Sequence, residues 1–161
     1  MYIAFDNMPE SARVWIYQSK QQISEVAATE IEKHGRTFCE NWDAHGHPLK
    51  SSMKVMHNRF IVIAVDESFN AASGCSIDRS VRLVQELEQA FGLSLFDRTH
   101  VAFLSGDEVL LKPLNGIKNE ISAGVIDQNT VTFNNLVQNL GEMKAKWKVP
   151  VGESWLKRYF A

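Results

Sequence analysis

The chain has 161 residues, 45% of them hydrophobic, and a formal net charge of −2. That length buries one sizeable core and fits a single domain spanning residues 1–161. A balance so close to neutral makes no global field for nucleic acid or an acidic membrane surface, so neither is expected as a partner.

Met1 to Asp6 carries no basic stretch leading into a long apolar one, so no secretory leader is read there. Arg13-Val14-Trp15-Ile16-Tyr17 is rich in β-branched and aromatic residues and predicts a strand. A helix follows, because Ile23, Ala27, Ile31, Phe38 and Trp42 recur at nearly helical spacing. Ser24 supplies its N-cap, or Ser19 with Gln22 three residues on, and Gly35 weakens the helix midway. Residues 43–52, with Gly46 and Pro48, read as a polar loop.

Met53 to Val65 is extended, either as one long strand or as a hairpin turning at His57-Asn58. Within it, Phe60 to Val65 is the longest apolar run, too short to cross a bilayer and suited to a buried strand. A loop over 66–76 leads to a second helix striped by Ile77, Val81, Val84, Leu87 and Phe91, with Gly92 placed to end it. Val101–Leu104 and Val109–Leu111 flank Ser105-Gly106-Asp107, a hairpin signal. A short helix over 115–123, a strand at Val131–Phe133 and an amphipathic helix over 153–160, packing Trp155, Leu156 and Tyr159, complete the order.

This order predicts an α+β fold with a mostly antiparallel sheet and helices packed on it. With the hairpin at His57-Asn58, the first hundred residues follow the β-α-β-β-α-β plan of a ferredoxin-like core with a C-terminal extension. The uninterrupted apolar run of Phe60–Val65 keeps an open α/β sheet as the alternative.

Four places carry residue types with chemistry. The first is Ser73-Gly74-Cys75-Ser76-Ile77-Asp78-Arg79-Ser80. Ser76 fits an N-cap, which sets Asp78 in the first helical turn and Cys75 just outside the helix. A thiol at a helix start loses its proton more readily and becomes nucleophilic, so Cys75 and Asp78 are the catalytic candidates. The same amides can hold an anion, with Ser73, Gly74, Ser76 and Arg79 as ligand-binding candidates. Ser, Gly and Asp are equally ordinary helix-start residues, and a nucleophilic thiol needs a base; His45, His47, His57 and His100 are the histidines free to supply one by folding.

The second place is the apolar strand ending in Asp66-Glu67, which has the form of a Walker B motif and adds both acids to the ligand-binding candidates. No Gly-x-x-x-x-Gly-Lys-Ser/Thr occurs, so nothing cradles a nucleotide's phosphates and ATP hydrolysis is not expected from the residues. The third is Ala44-His45-Gly46-His47. Paired histidines can share a metal, but no carboxylate or thiol completes a ligand spacing, and no metal or other cofactor is expected. The fourth is the tail, where Trp147, Trp155, Tyr159 and Phe160 stand among Lys144, Lys146, Lys148, Lys157 and Arg158. Such a segment anchors to the body or meets another subunit more readily than it stacks on bases in an acidic chain.

Several strings, among them Arg13-Val14-Trp15-Ile16-Tyr17-Gln18-Ser19, Asn58-Arg59-Phe60-Ile61-Val62, Ser73-Gly74-Cys75-Ser76-Ile77-Asp78 and Phe133-Asn134-Asn135-Leu136-Val137, resemble a family of short bacterial proteins often labelled "ABC transporter ATPase". The resemblance covers nearly the whole chain. It implies nucleotide hydrolysis and brings no catalytic residue with it.

Two widely spaced cysteines, Cys39 and Cys75, read as reduced thiols of a cytoplasmic protein. With no complete catalytic constellation, the expectation is a non-catalytic domain binding a small molecule or a protein partner, with self-association as one form of the latter. The alternative is an enzyme or thiol-dependent regulator built on Cys75.

Overall fold

The computed structural model describes residues 1–161. It is an α+β arrangement of helices and antiparallel sheets. The first sheet contains β1 (Arg13–Gln18), β4 (Lys50–Met56) and β5 (Phe60–Asp66), in the order β1-β5-β4. Two helices cover one face of it, α1 (Glu25–Glu40) and α2 (Gly74–Phe91). A two-stranded hairpin, β2 (Asp43–Ala44) and β3 (His47–Pro48), lies between α1 and β4 in the chain.

The second sheet runs β7-β6-β8-β9, with β6 at His100–Ser105, β7 at Glu108–Pro113, β8 at Val131–Phe133 and β9 at Lys148–Pro150. The short helices α3 (Ile117–Ser122) and α4 (Leu140–Lys146) belong to this half.

Strand β5 explains its own composition. Successive side chains on a strand point to opposite faces. Ile61, Ile63 and Val65 meet Ile31, Val84 and Leu87 on the helical side. Phe60, Val62 and Ala64 meet Ala102, Val109, Phe133, Leu140 and Trp147 on the other. All six are 0–1% exposed. A run without polar alternation is therefore what this site demands, although the sheet is antiparallel: its second cover is another sheet rather than a second layer of helices. The far face of that second sheet is closed by Phe103, Ile117, Ile126, Val151 and Leu156.

His57 and Asn58 have φ of 54° and 51°, and the Arg59 amide donates to the Met56 carbonyl at 3.1 Å. Positive φ at both central positions suits a tight antiparallel turn, so Met53–Val65 is a hairpin. The same device, with His45 at 53° and Gly46 at 78°, folds residues 43–48 into a hairpin where a loop is expected from composition. Ser24 caps α1 by accepting from the Ala27 amide at 3.1 Å. Gly35 does not weaken α1; a Cβ there would lie 2.9 Å from Met53 Cβ, so the missing side chain is what lets helix and sheet approach. Gly92 ends α2 with φ 65°, as expected.

The ferredoxin-like plan extends to three strands. Antiparallel β4-β5-β1 has the expected order, but β6, which would be the fourth strand beside β1, pairs with β7 and β8 in the second sheet. Residues 138–140 take part of its place: Val14 donates to the Gln138 carbonyl and Leu140 to the Ala12 carbonyl, both at 3.0 Å. Beyond them the outer edge of β1 is free. Alternation puts Ile16 and Gln18 on that edge with Val14, and no main-chain bond joins either to residues 134–136. Only the Gln18 side chain reaches β6, donating to the His100 carbonyl at 3.2 Å.

The C-terminal segment also differs from expectation. Trp155–Phe160 is a 3-10 helix that buries Leu156 fully and leaves Trp155 52% exposed. No helix is long and apolar enough to cross a membrane.

Candidate functional site

The start of α2 is built differently from its sequence reading. Ser73, not Ser76, is the N-cap: its hydroxyl accepts from the Ser76 amide at 3.2 Å, and the Ser76 hydroxyl accepts from the Ser73 amide at 2.7 Å. Two serines thus satisfy each other's amides in a capping box. The helix therefore begins at Gly74, which places Cys75 inside its first turn and Asp78 beyond that turn, exposed to solvent. The capping signal was spread over two serines, and either alone fits an N-cap.

Cys75 is exposed and its thiol has no hydrogen-bond partner. It lines an open cleft of about 520 Å³ with Asp43, His45, Gly74 and Arg79. His45 is thus the histidine that folding brings to its side, without hydrogen-bonding to it. Arg79 is already engaged. It contacts the Asp43 carboxylate at 2.7 Å and donates to the Asn41 carbonyl at 3.1 Å, tying α2 to the β2–β3 hairpin. The Arg79 hydrogen bond holds the Asp43 carboxyl below its usual range.

Asp66 and Glu67 stand outside this cleft. Asp66 accepts from the Ser68 amide at 3.0 Å and its hydroxyl at 2.6 Å, and those bonds lower its pKa. Glu67 accepts from the Ala72 amide at 2.9 Å and lies 3.8 Å from Arg13. Both acids brace the loop that returns the chain to α2. No three His, Cys, Asp or Glu side chains converge on a point that would hold a metal ion. His45 sits at the hairpin tip and His47 on β3, both exposed.

A second cleft, about 480 Å³, opens along the free edge of β1. Ile16, Tyr17 and Gln18 form one wall, and His100 and Ala102 of β6 another. The loop at 95–98, the turn at 134–136 and Trp155 complete it. The cleft exists because β6 leaves for the second sheet and residues 134–136 turn away from β1.

The polar groups here are oriented by one another. Asp97 and His100 Nδ1 are 2.8 Å apart, and the same carboxylate accepts from the Thr99 amide at 2.8 Å and its hydroxyl at 2.6 Å. The Thr99 bonds come first, and His100 adds to them, in holding Asp97 below its usual pKa. With Nδ1 engaged, Nε2 is the ring nitrogen of His100 left without a hydrogen-bond partner. Asn135 donates to Gln18 at 3.1 Å and accepts from the Trp147 indole at 2.9 Å, which locks the floor. Burial raises the Tyr17 pKa, and its ring packs edge-on against Phe96 at 5.5 Å.

Apolar groups here are exposed rather than packed away. Phe96 is 42%, Leu136 87% and Trp155 52% exposed, three of the eight large hydrophobic side chains that stand out from the surface. They come from three separate segments and surround one opening. Arg98 is exposed beside them and has no carboxylate within ion-pair distance. The sequence offers His100 only as a base for Cys75, and Trp155 only as part of a tail that anchors to the body or meets another subunit. The signal available was Asp97-Arg98-Thr99-His100, a carboxylate set to turn the chain and hold a histidine just as a strand begins. Comparisons of the chain with family models, with curated proteins and with solved structures give no match in any of the three.

Proposed function

We propose that this is a non-catalytic binding domain whose cleft beside β1 takes a small aromatic molecule bearing a carboxylate. The observation that carries the reading is the convergence of Phe96, Leu136 and Trp155 around one opening that also presents the unpaired cation Arg98. Exposed apolar groups gathered in one place mark interaction sites, whereas scattered ones carry no such meaning. Tyr17, Phe96 and Trp155 offer ring faces and edges to a planar ligand. Arg98 offers the forked donors that match a carboxylate, with His100 Nε2 beside it. The one hydroxyl near His100, Thr99 Oγ1 at 3.0 Å from Nδ1, is already committed to Asp97 at 2.6 Å, which is why binding is favoured over turnover.

The test is calorimetric titration with a panel of aromatic carboxylates and their neutral amides. Saturable binding of at least one acid, weakened about tenfold or more by Arg98→Glu and by Trp155→Ala, is expected. The reading fails if no acid binds saturably, or if both variants bind as the parent does.

One observation favours a second reading, docking of a protein segment. The unpaired main chain of Ile16 and Gln18 beside a protruding Leu136 suits an added strand, from a second copy or another protein. Sedimentation velocity over a hundredfold concentration range separates the two: self-association lost in Leu136→Asp supports the strand, and a monomer throughout removes the second-copy form of it.

A further inference from the structure

A third cleft, of about 320 Å³, is lined by β4, α4 and the start of β9, independent of the site proposed above and sharing no residue with it. Its floor is apolar: Met56 from β4, with Met143 and Trp147, which are 6% and 3% exposed. Three lysines stand around it, Lys54 on β4, Lys144 on α4 and Lys148 at the start of β9. Lys144 and Lys148 come from one short lysine-rich stretch, and folding brings Lys54 of β4 to join them.

The lysines differ in how they are occupied. Lys54 lies 3.7 Å from Asp6 and Lys144 lies 3.4 Å from Glu10, in each case with a well-exposed acid. Such exposed pairs hold little free energy and exchange readily for another anion. Lys148 has no carboxylate within 4.0 Å. Its field is felt nonetheless: burial first, and then Lys148, push the His57 imidazole below its usual pKa. The site therefore has one uncommitted positive charge above an apolar floor.

We propose that this cleft binds a free medium-chain aliphatic carboxylate, its head on Lys148 and its chain across Met56, Met143 and Trp147. Charge complementarity sets the sign of the ligand, and a single unpaired cation sets a single anionic group. Methionines adapt their shape to a flexible chain, and the lysine stems extend the apolar wall while keeping their charges in water. The volume is at the small end for ligand sites, which suits a slender chain rather than a ring system. Asp6 in the lining, and Glu10 paired with Lys144, oppose an anionic bilayer surface, so a free acid is favoured over a lipid headgroup in a membrane.

The experiment is a titration with decanoate below its micelle-forming range, read by tryptophan emission, with decyltrimethylammonium, decanol and phosphatidylglycerol vesicles as parallel probes. The expected result is a saturable change with decanoate that weakens about tenfold in Lys148→Glu, weakens with added salt, and persists in Trp155→Phe. Lys148→Gln, which removes the charge without reversing it, gives a smaller loss in the same direction and serves if the Glu variant is poorly folded. Equal binding of decyltrimethylammonium or decanol, decanoate binding unchanged in both Lys148 variants, loss of the signal in Trp155→Phe, or tighter binding to the vesicles than to decanoate would overturn the proposal.

Discussion

The start of α2 and the cleft beside β1 hold similar inventories of polar and reactive groups, and differ in what those groups are tied to. At the start of α2, Ser73 and Ser76 cap each other, Arg79 holds Asp43, and the neighbouring acids Asp66 and Glu67 brace a loop. Cys75 is left over, exposed and without a partner. Beside β1 the bonding is also dense, but it ends in groups that face an opening: His100 held by Asp97, Arg98 with no acid, and three exposed apolar side chains. A motif-like string in sequence is thus a weaker guide than the count of groups that folding leaves unemployed. Reactive residue types at a helix start usually have a structural task there, and that task must be subtracted first.

Thiol chemistry gives the largest effect that bears on this contrast. Cys39 is fully buried, and loss of solvation pushes its pKa to about 11. From an ordinary thiol value of 9.0, that lowers its thiolate fraction by roughly 100-fold, before burial blocks the reagent. Iodoacetamide at pH 8 followed by intact mass measurement should show one adduct on the native protein, at Cys75, and two after unfolding. Two adducts at comparable rates in the native state would break the picture of Cys39 as core. Cys75→Ser should leave binding in the β1 cleft unchanged.

Stability separates the two regions on a smaller scale. Ser73→Ala removes one half of the capping box and should cost about 1 kcal/mol in urea unfolding. Leu136→Ser and Trp155→Ala remove exposed side chains and should stay within about 0.5 kcal/mol. If the ranking inverts, the cleft residues are part of the fold's support and the comparison falls.

The smallest effect is in acid. The Asp97 carboxyl is lowered in the folded state, so its contribution is present above the ordinary carboxylate pKa of about 4 and is lost as pH falls below it. Asp97→Asn should flatten the decline in urea midpoint below pH 4. Asp43→Asn should flatten it less, because Asp43 is exposed beside Arg79 and solvent screens that pair.

Much of the fold was legible because periodicity and turn chemistry are local. The stripe from Ile77 to Phe91 with Gly92 at its end, the hairpin around Ser105-Gly106-Asp107 and the strand at Arg13–Tyr17 all follow from neighbours a few residues apart. What was not legible depends on residues far apart. Gly35 looked like a flaw in a helix until Met53 was placed against it. α4 and β9 are too short to carry a pattern, and they are set by Leu140, Met143 and Trp147 reaching the core under β5. The cleft beside β1 was invisible for the same reason. It arises from a strand pairing elsewhere, and its residues span Ile16 to Trp155 in the chain.

Strand β5 has one more consequence, for the way the molecule comes apart. From Phe60 to Val65 its odd-numbered side chains belong to one core and its even-numbered ones to the other, and β1 and β4 hold it on both edges. Neither core can open to water without pulling the same six residues out of register. Its amides should accordingly be the last to exchange with solvent, released only by the global transition, while the capped helix start and the edge turns should open earlier by local fluctuation. A strand that two cores share acts as a latch: it makes their melting a single event.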